Sequence, residues 1–326
     1  MKKVLVTGGA GYIGSKIVTD LIKEKYKVFV VDNLSTGYKS LINKKSTFLQ
    51  CNIGNKRKLD SFIKNNKITS VIHCAASLDV EESEKKRNKY FVNNCINTKK
   101  LLEICTKRGL KNFIFSSTCA VYGNVSGKIS ESKQPRPISV YGKTKLECER
   151  LIKISSKKFK FNYGILRYFN VAGSDMKNRI GCINQNNQLI KNLSIAIAAN
   201  KNSVSVYGSN YNTKDGTCVR DYIHLEDLSK VHLKLLQKIS KEKKSFLLNC
   251  GYGRGFTVLE IINKFQRVCK QKIKKVFLPR RKGDVEKIFA DTKKIDKVLK
   301  LNLNKKERLK KIITSSVLWE KFLHEK

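Results

Sequence analysis

A short apolar run, Lys3-Val4-Leu5-Val6-Thr7, passes directly into Gly8-Gly9-Ala10-Gly11-Tyr12-Ile13-Gly14. Few folds accommodate such a junction. A strand must stop, turn on residues without side chains, and hand over at once to a helix. Glycines at 8, 11 and 14 allow the tight turn, close approach of backbone to a pyrophosphate, and close contact of helix with strand. The helix that follows aims its first amides at the anion. A second apolar run, Val28–Val31, ends on Asp32, 24 residues beyond Gly8. A carboxylate there accepts hydrogen bonds from both adenosine ribose hydroxyls and repels a 2′-phosphate. Together these features predict dinucleotide binding, with NAD favoured over NADP.

The rest of the first half keeps the same rhythm. Strand-like runs recur at Lys3–Thr7, Val28–Asp32, Thr47–Cys51, Ser70–Cys74, Asn112–Ser116 and Tyr163–Arg167. Helical stretches lie between them near 13–24, 56–66, 89–108 and 141–157. In the longest, Phe91, Cys95, Leu102 and Cys105 are expected on one buried face. Repeated strand–helix units predict an α/β fold with a doubly wound parallel sheet, its ligand at the carboxyl ends of the strands. After about residue 175 the rhythm breaks. Met176–Gln188 is polar and reads as a loop into a smaller α+β substrate domain. The expected division is a dinucleotide-binding domain over 1–175, with return segments near 221–250, and a substrate-binding domain over 176–326.

Composition narrows the class. At 40% hydrophobic residues, 326 residues can bury a sizeable core. No apolar run approaches the ~20 residues that span a bilayer, and Met-Lys-Lys leads into too short an apolar run for a signal peptide. The reading is a cytosolic protein without a membrane partner. Ten cysteines include no CxxC pair, so no zinc site is expected. Lys and Arg total 68 against 26 Asp and Glu, a net charge of +42. The lysines are scattered over the whole chain, and only three prolines occur. That pattern reads as compositional drift rather than as a dedicated nucleic-acid surface, although contact with polyanions at low salt is expected.

A second motif carries chemistry. Tyr141 and Lys145 are spaced i, i+4, so on a helix they share a face. A free tyrosine, with a pKa of about 10, is a poor base at neutral pH. A neighbouring ammonium and a positive nicotinamide are expected to lower it. Ser116-Ser117-Thr118 closes the strand before this helix, and a hydroxyl there can shape a proton path to Tyr141.

Thr7–Gly14, Asp32 with Asn33–Gly37, Ser116–Gly123 and Tyr141–Lys145 resemble the extended short-chain dehydrogenase/reductase superfamily, whose sheet is of the Rossmann type. Leu166–Asn170, Asp215–His224 and Pro279–Asp284 are similar to the UDP-galactose 4-epimerases within it. The resemblance implies a transient oxidation at sugar C4 on bound NAD, with Tyr141 as base, Thr118 assisting and Lys145 holding the nicotinamide ribose. For NAD it implies contacts from Gly8, Gly11, Tyr12, Ile13, Gly14, Asp32, Asn33, Asn52, Ile53, Ala75, Ala76, Asn94 and Phe169. For a UDP-sugar it implies Arg220 and Arg281 on the diphosphate, Asp284 on the ribose and Tyr207 on the uracil. Asn170, Gln188, Leu189 and Ile288 complete the pocket, and homodimers are expected by analogy.

The chain departs from the family pattern in places. Asn52 replaces an acidic residue, and Leu78 replaces a lysine of some members. Gln188 and Lys191 replace Asn or His and Pro, and Ile288 stands where pocket width decides whether an N-acetyl group fits. A 4,6-dehydratase needs an acid–base pair just after the active-site Ser or Thr, where this chain has Cys119-Ala120. UDP-glucuronate decarboxylases are disfavoured for the same reason. A reading from another class, a polyanion-binding protein on an inactive scaffold, rests on the charge alone. His232 falls on a helix stripe with Leu228, Leu235 and Ile239, and His73 ends a buried strand, so neither suggests a metal.

Overall fold

The structure, a computed structural model, describes residues 1–184, 188–201, 203–281, 283–301 and 307–325. Lys282, within the Pro279–Asp284 motif, and residues 185–187 of the Met176–Gln188 loop lie outside the described residues. The chain forms two compact units. The first comprises Met1–Gly123, Gln134–Tyr168 and Ser229–Leu248, and the second Asn124–Lys133, Phe169–Leu228 and Asn249–Lys326.

The strands of the first unit are β1 (Lys3–Thr7), β2 (Lys27–Asp32), β3 (Thr47–Gln50), β4 (Ser70–His73), β5 (Asn112–Thr118) and β7 (Asn162–Tyr168). With β11 (Phe246–Cys250) they form one sheet in the order β11-β7-β5-β4-β1-β2-β3. β1 runs parallel to both β2 and β4, and the pairs β2–β3, β4–β5 and β5–β7 are parallel as well. Val4, Leu5 and Val6 are all buried, as a central parallel strand covered on both faces requires. Strand order reverses at β1, which opens the crevice between the ends of β1 and β4.

Helices α1 (Tyr12–Lys23), α2 (Lys56–Asn66), α3 (Val80–Lys85), α4 (Arg87–Tyr90), α5 (Asn97–Lys107) and α6 (Val140–Phe159) accompany this sheet. α2 starts where Asn55 accepts from the Lys58 amide, a side-chain cap. Leu59 and Ile63, one turn apart, then enter the core with Phe29, Val31, Phe113 and Ile152. Each such side chain contributes about 1.5–3 kcal/mol by leaving water.

The helix expected over 89–108 is interrupted. Phe91–Ile96 forms a π-helical turn between α4 and α5. The wider turn rotates the residues before it relative to those after it. Cys95, Leu102 and Cys105 are buried as expected, but Phe91 is 49% exposed.

The second unit holds β6 (Gly127–Ile129), β8 (Asn170–Ala172), β9 (Ser203–Tyr207), β10 (Val219–His224), β12 (Gly255–Thr257), β13 (Lys274–Leu278) and β14 (Lys287–Ala290). One sheet runs β12-β10-β14-β6, with β8 also paired to β10, and β9 and β13 form a parallel pair. α7 (Leu189–Ala198), α9 (Val258–Cys269) and α11 (Arg308–His324) pack on one another. α8 (Leu225–Glu242) begins in this unit and continues into the first, and α10 (Lys293–Leu299) is short. α9 opens with a reciprocal cap between Thr257 and Glu260. Among the described residues no helix is long and apolar enough to cross a membrane.

Candidate active site

The glycine loop follows β1 as its spacing predicts. Gly8 has φ +70°, and a Cβ there would lie 2.7 Å from the Ala75 nitrogen at the end of β4. A Cβ on Gly14 would lie 2.1 Å from the Gly8 carbonyl oxygen. Both positions therefore demand glycine, one for close strand contact and one for the tight start of α1. Gly11 caps α1 without a side chain, and the first turn, which includes Tyr12 and Ile13, has no acidic residue. Asp32, 8% exposed, ends β2 and accepts from the amides of Ala10 at 3.0 Å and Leu34 at 2.9 Å. A Cβ on Gly37 would come within 3.0 Å of that carboxylate. Amides free of a side-chain cap and a carboxylate walled by glycine fit the phosphates and ribose of a dinucleotide.

The other expected cofactor residues are placed unevenly. Ala75 and Ala76 follow β4 and are half-buried. Asn33 is exposed and holds Ser35 through its side-chain oxygen. The Asn52 side chain is engaged by the Gly54 amide and by Asn97, while Ile53 is buried. Asn94 is 1% exposed and bonds Ser77 on one side and Thr144 of α6 on the other. Phe169 is buried in the second unit, its amide donating to Cys250.

α6 is capped with unusual thoroughness. Ser139 accepts from the Gly142 amide, Glu84 from Val140 and Ser83 from Tyr141. This fixes the first turn, where Tyr141 sits at 9% exposure. The Thr118 hydroxyl, which accepts from the Ala120 amide, is close enough to the phenol to act on it. Lys145 is 2% exposed and donates to the Ser116 carbonyl at 2.8 Å. Its ammonium lies 4.8 Å from the Phe115 ring centre and 6.0 Å from that of Tyr141.

Among the protein's own groups, burial dominates the Tyr141 phenol; the lowering expected from Lys145 together with a positive nicotinamide belongs to the cofactor-bound site. Burial pushes the Tyr141 phenol up, and Thr118 only partly opposes it. Burial also pushes the Lys145 ammonium down. The ammonium is directed at a β5 carbonyl and an aromatic face rather than at the phenol oxygen.

Beneath this pair lies a polar layer that spacing alone did not reveal. Tyr168 donates to the Ser116 hydroxyl at 2.7 Å and is 2.6 Å from His232 Nε2. Ser117 donates to Glu149 at 2.6 Å, and Glu149 pairs with Arg167 through two bonds of 2.9 and 2.6 Å. Glu149 lies one helical turn beyond Lys145, the one signal in the sequence that could have found it. His73 bridges Thr7 and Thr98.

The second unit contains all the residues expected at a nucleotide-sugar. Arg220 on β10 donates to Asp284 at 2.9 Å and to the Val219 carbonyl. The Arg281 guanidinium stacks 3.8 Å from the Tyr207 ring centre. Groups expected on separate parts of one ligand are thus paired with one another. Ile288 is 6% exposed and sits beside Arg220 in the β10–β14 register. Asn170 begins β8 and stands opposite Tyr222 in the β8–β10 register. Gln188 caps α7, exposed, and Leu189 is its first residue. Asp221 accepts from the amides of Tyr252, Gly253 and Ala290, tying three segments together. Among the described residues no group of three or more His, Cys, Asp and Glu side chains could hold a metal ion.

Comparison with known proteins identifies the family. The family described as "NAD dependent epimerase/dehydratase family" matches residues 4–251. A UDP-glucose 4-epimerase of Azospirillum brasilense is 36% identical over 325 residues, covering 99% of this chain and 93% of the relative. A UDP-glucose 4-epimerase of Stenotrophomonas maltophila, solved with NAD and formylated UDP-arabinopyranose, superposes with a TM-score of 0.95. It is 30% identical and is matched over 100% of this chain and 99% of its own. The Brucella ovis enzyme of the same name, in complex with NAD, gives 0.92 at 33% identity, covering 98% of this chain and 99% of its own. On its sequence and its fold, the chain belongs to the NAD-dependent epimerase/dehydratase family.

Proposed function

We propose that the chain is a UDP-glucose 4-epimerase that interconverts UDP-galactose and UDP-glucose. The observation that carries this reading is the nearness of the Tyr141 phenol to Thr118, with the buried Lys145 one turn further along α6 and Cys119-Ala120 next in the chain after Thr118. Bound NAD supplies the acceptor for the hydride of C4 and the donor for its return. Tyr141 takes the proton of the 4-hydroxyl as the hydride departs, and gives it back when the 4-keto sugar is reduced on its other face. Thr118 orients the phenol and the sugar hydroxyl through its own hydrogen bonds. Lys145, held by the Ser116 carbonyl, presents its remaining donors to the nicotinamide ribose and keeps positive charge near Tyr141. Arg220 and Arg281 neutralise the diphosphate, to which a guanidinium fork is well matched. Their partners Asp284 and Tyr207 are expected to exchange those contacts for the ribose and the uracil.

Without an acid and a base at positions 119 and 120, hydride removal has no elimination step to follow it. This places the chain with epimerases rather than dehydratases. In the test, purified protein is given UDP-galactose without added cofactor. UDP-glucose is expected to form, and Tyr141→Phe is expected to abolish turnover while NAD stays bound. Near-normal turnover in that variant refutes the role of Tyr141. No conversion by the parent protein, with tight salt-sensitive RNA binding instead, favours the polyanion-binding reading. A cytosolic homodimer is part of the same proposal, and light scattering of the purified protein checks its mass.

A further inference from the structure

The segment between β8 and α7 is fastened to the C-terminal helix at several points, all within the second unit. Ser174 donates two hydrogen bonds to Ser315, from its amide at 3.1 Å and from its hydroxyl at 2.6 Å. Gly181 lies flat against Trp319, so closely that a Cβ would sit 2.3 Å from the indole. The next carbonyl, that of Cys182, accepts from Trp319 Nε1 at 3.0 Å and from Lys191 Nζ at 2.7 Å. Lys191 also donates to Glu320 at 2.6 Å. The two charged side chains are each 6% exposed.

A buried ion pair is a costly way to join two helices. Apolar residues of the same size do it as well or better. What the ion pair adds here is direction. A carbonyl has two lone pairs, and two donors from different helices converge on this one. Lys191 lies on the first turn of α7, three residues beyond Gln188 and two beyond Leu189. The Cys182 carbonyl and the start of α7 are thereby held at a fixed separation. Burial pushes the Glu320 carboxyl up and Lys191 pulls it back.

We propose that Lys191 and Glu320 act as a clamp that fixes the entrance of α7 through the Cys182 carbonyl and so sets how tightly the nucleotide-sugar is held. The proposal rests on the reading of Gln188 and Leu189 as substrate contacts, and its residues are positioning residues that touch no substrate. The clamp has its own reporter, because Trp319 is the only tryptophan in the chain.

The experiment compares the full-length parent with Lys191→Met, Glu320→Gln and the double variant Lys191→Met/Glu320→Met. KM and kcat for UDP-galactose, the dissociation constant of UDP alone, thermal midpoint and tryptophan emission are measured for each. Lys191→Met is expected to raise KM and the UDP dissociation constant about tenfold, to leave kcat within about twofold, and to shift Trp319 emission. Glu320→Gln, which retains an acceptor, is expected to fall between. In the double variant the thermal midpoint is expected to recover because no charge is left unpaired, while KM stays high. Recovery of KM together with the midpoint overturns the proposal, since a purely structural pair behaves that way. An unchanged UDP dissociation constant in Lys191→Met overturns it too. A parent protein that binds UDP but epimerises nothing refutes the proposed function instead, and the UDP constants still decide the clamp.

Discussion

Replacing Glu149 by Gln is expected to be among the most damaging single-atom changes in the first unit. Arg167 and Glu149 are 2% and 0% exposed and joined by two short hydrogen bonds. Ser117 donates to the same carboxylate, and the guanidinium rests 4.7 Å from the Tyr122 ring centre. A glutamine places an NH2 where one carboxylate oxygen received a donor, leaving a buried cation without its counter-charge. Breaking one side of such a pair costs about 3–5 kcal/mol. With a urea dependence of about 2 kcal/mol per molar, the unfolding midpoint should fall by roughly 2 M. Urea titration followed by circular dichroism reads this, fitted with two transitions because the chain has two units. The paired replacement Glu149→Leu/Arg167→Met removes both charges and is expected to regain most of the loss. A fall of less than about 1 kcal/mol in Glu149→Gln refutes the reasoning. So does a double variant as unstable as the single one. The layer also matters for chemistry, because Ser117 stands between Ser116, which holds Lys145, and Thr118.

Gly8→Ala is expected to abolish NAD retention and to cost at least about 2 kcal/mol. The left-handed backbone alone costs ~1–2 kcal/mol, and the new Cβ meets the Ala75 backbone; the absorbance of cofactor carried through purification checks it. Burial lowers the His73 pKa from 6.5 to about 3. The unfolded chain therefore takes up a proton below its own pKa that the folded one refuses, and stability from this group is lost as pH falls from 6.5 toward 3, by on the order of 5 kcal/mol. His73→Gln should flatten the acid limb of a thermal-midpoint profile, and an unaltered limb refutes this. Asp221 behaves oppositely, its carboxyl pushed up by burial from 3.8 to about 6 against its backbone hydrogen bonds. Its contribution is full below pH 3.8 and is lost as pH rises through about 6, by on the order of 3 kcal/mol. The stability difference between the parent and Asp221→Asn should shrink from pH 4 to pH 7, and a constant difference refutes it.

The first unit was legible in the sequence because its signals are local. Buried parallel strands are continuous apolar runs, and the glycine loop announces both the turn and the helix after it. Strand limits moved by a residue or two. β5 continues to Thr118, so that hydroxyl is strand-borne rather than beyond the strand. The π-helical turn at Phe91–Ile96 was invisible because periodicity assumes one turn size throughout. The second unit was harder to read. β6, β8, β12 and β14 are three or four residues long and join β10 in one sheet from distant parts of the chain, so no local pattern specifies them. Tyr141, Lys145 and Thr118 were readable as residues. The burial that dominates the Tyr141 phenol was not, since it depends on everything packed around it. Nor was the aim of Lys145 at the Ser116 carbonyl, which no spacing between side chains encodes.

The alternation of segments between the two units bears on how the polypeptide is made. β7 is complete at Tyr168, but its sheet neighbour β11 begins only at Phe246. During synthesis the ribosome must add 77 further residues before that flank of the sheet can be covered. Meanwhile β7 presents a bare row of amides and carbonyls, the kind of template on which nascent chains pair wrongly. Slow translation between these two strands therefore lengthens the period of risk. A nascent chain stalled with β7 clear of the ribosome and β11 not yet emerged should engage holdase chaperones more strongly than the released full-length chain.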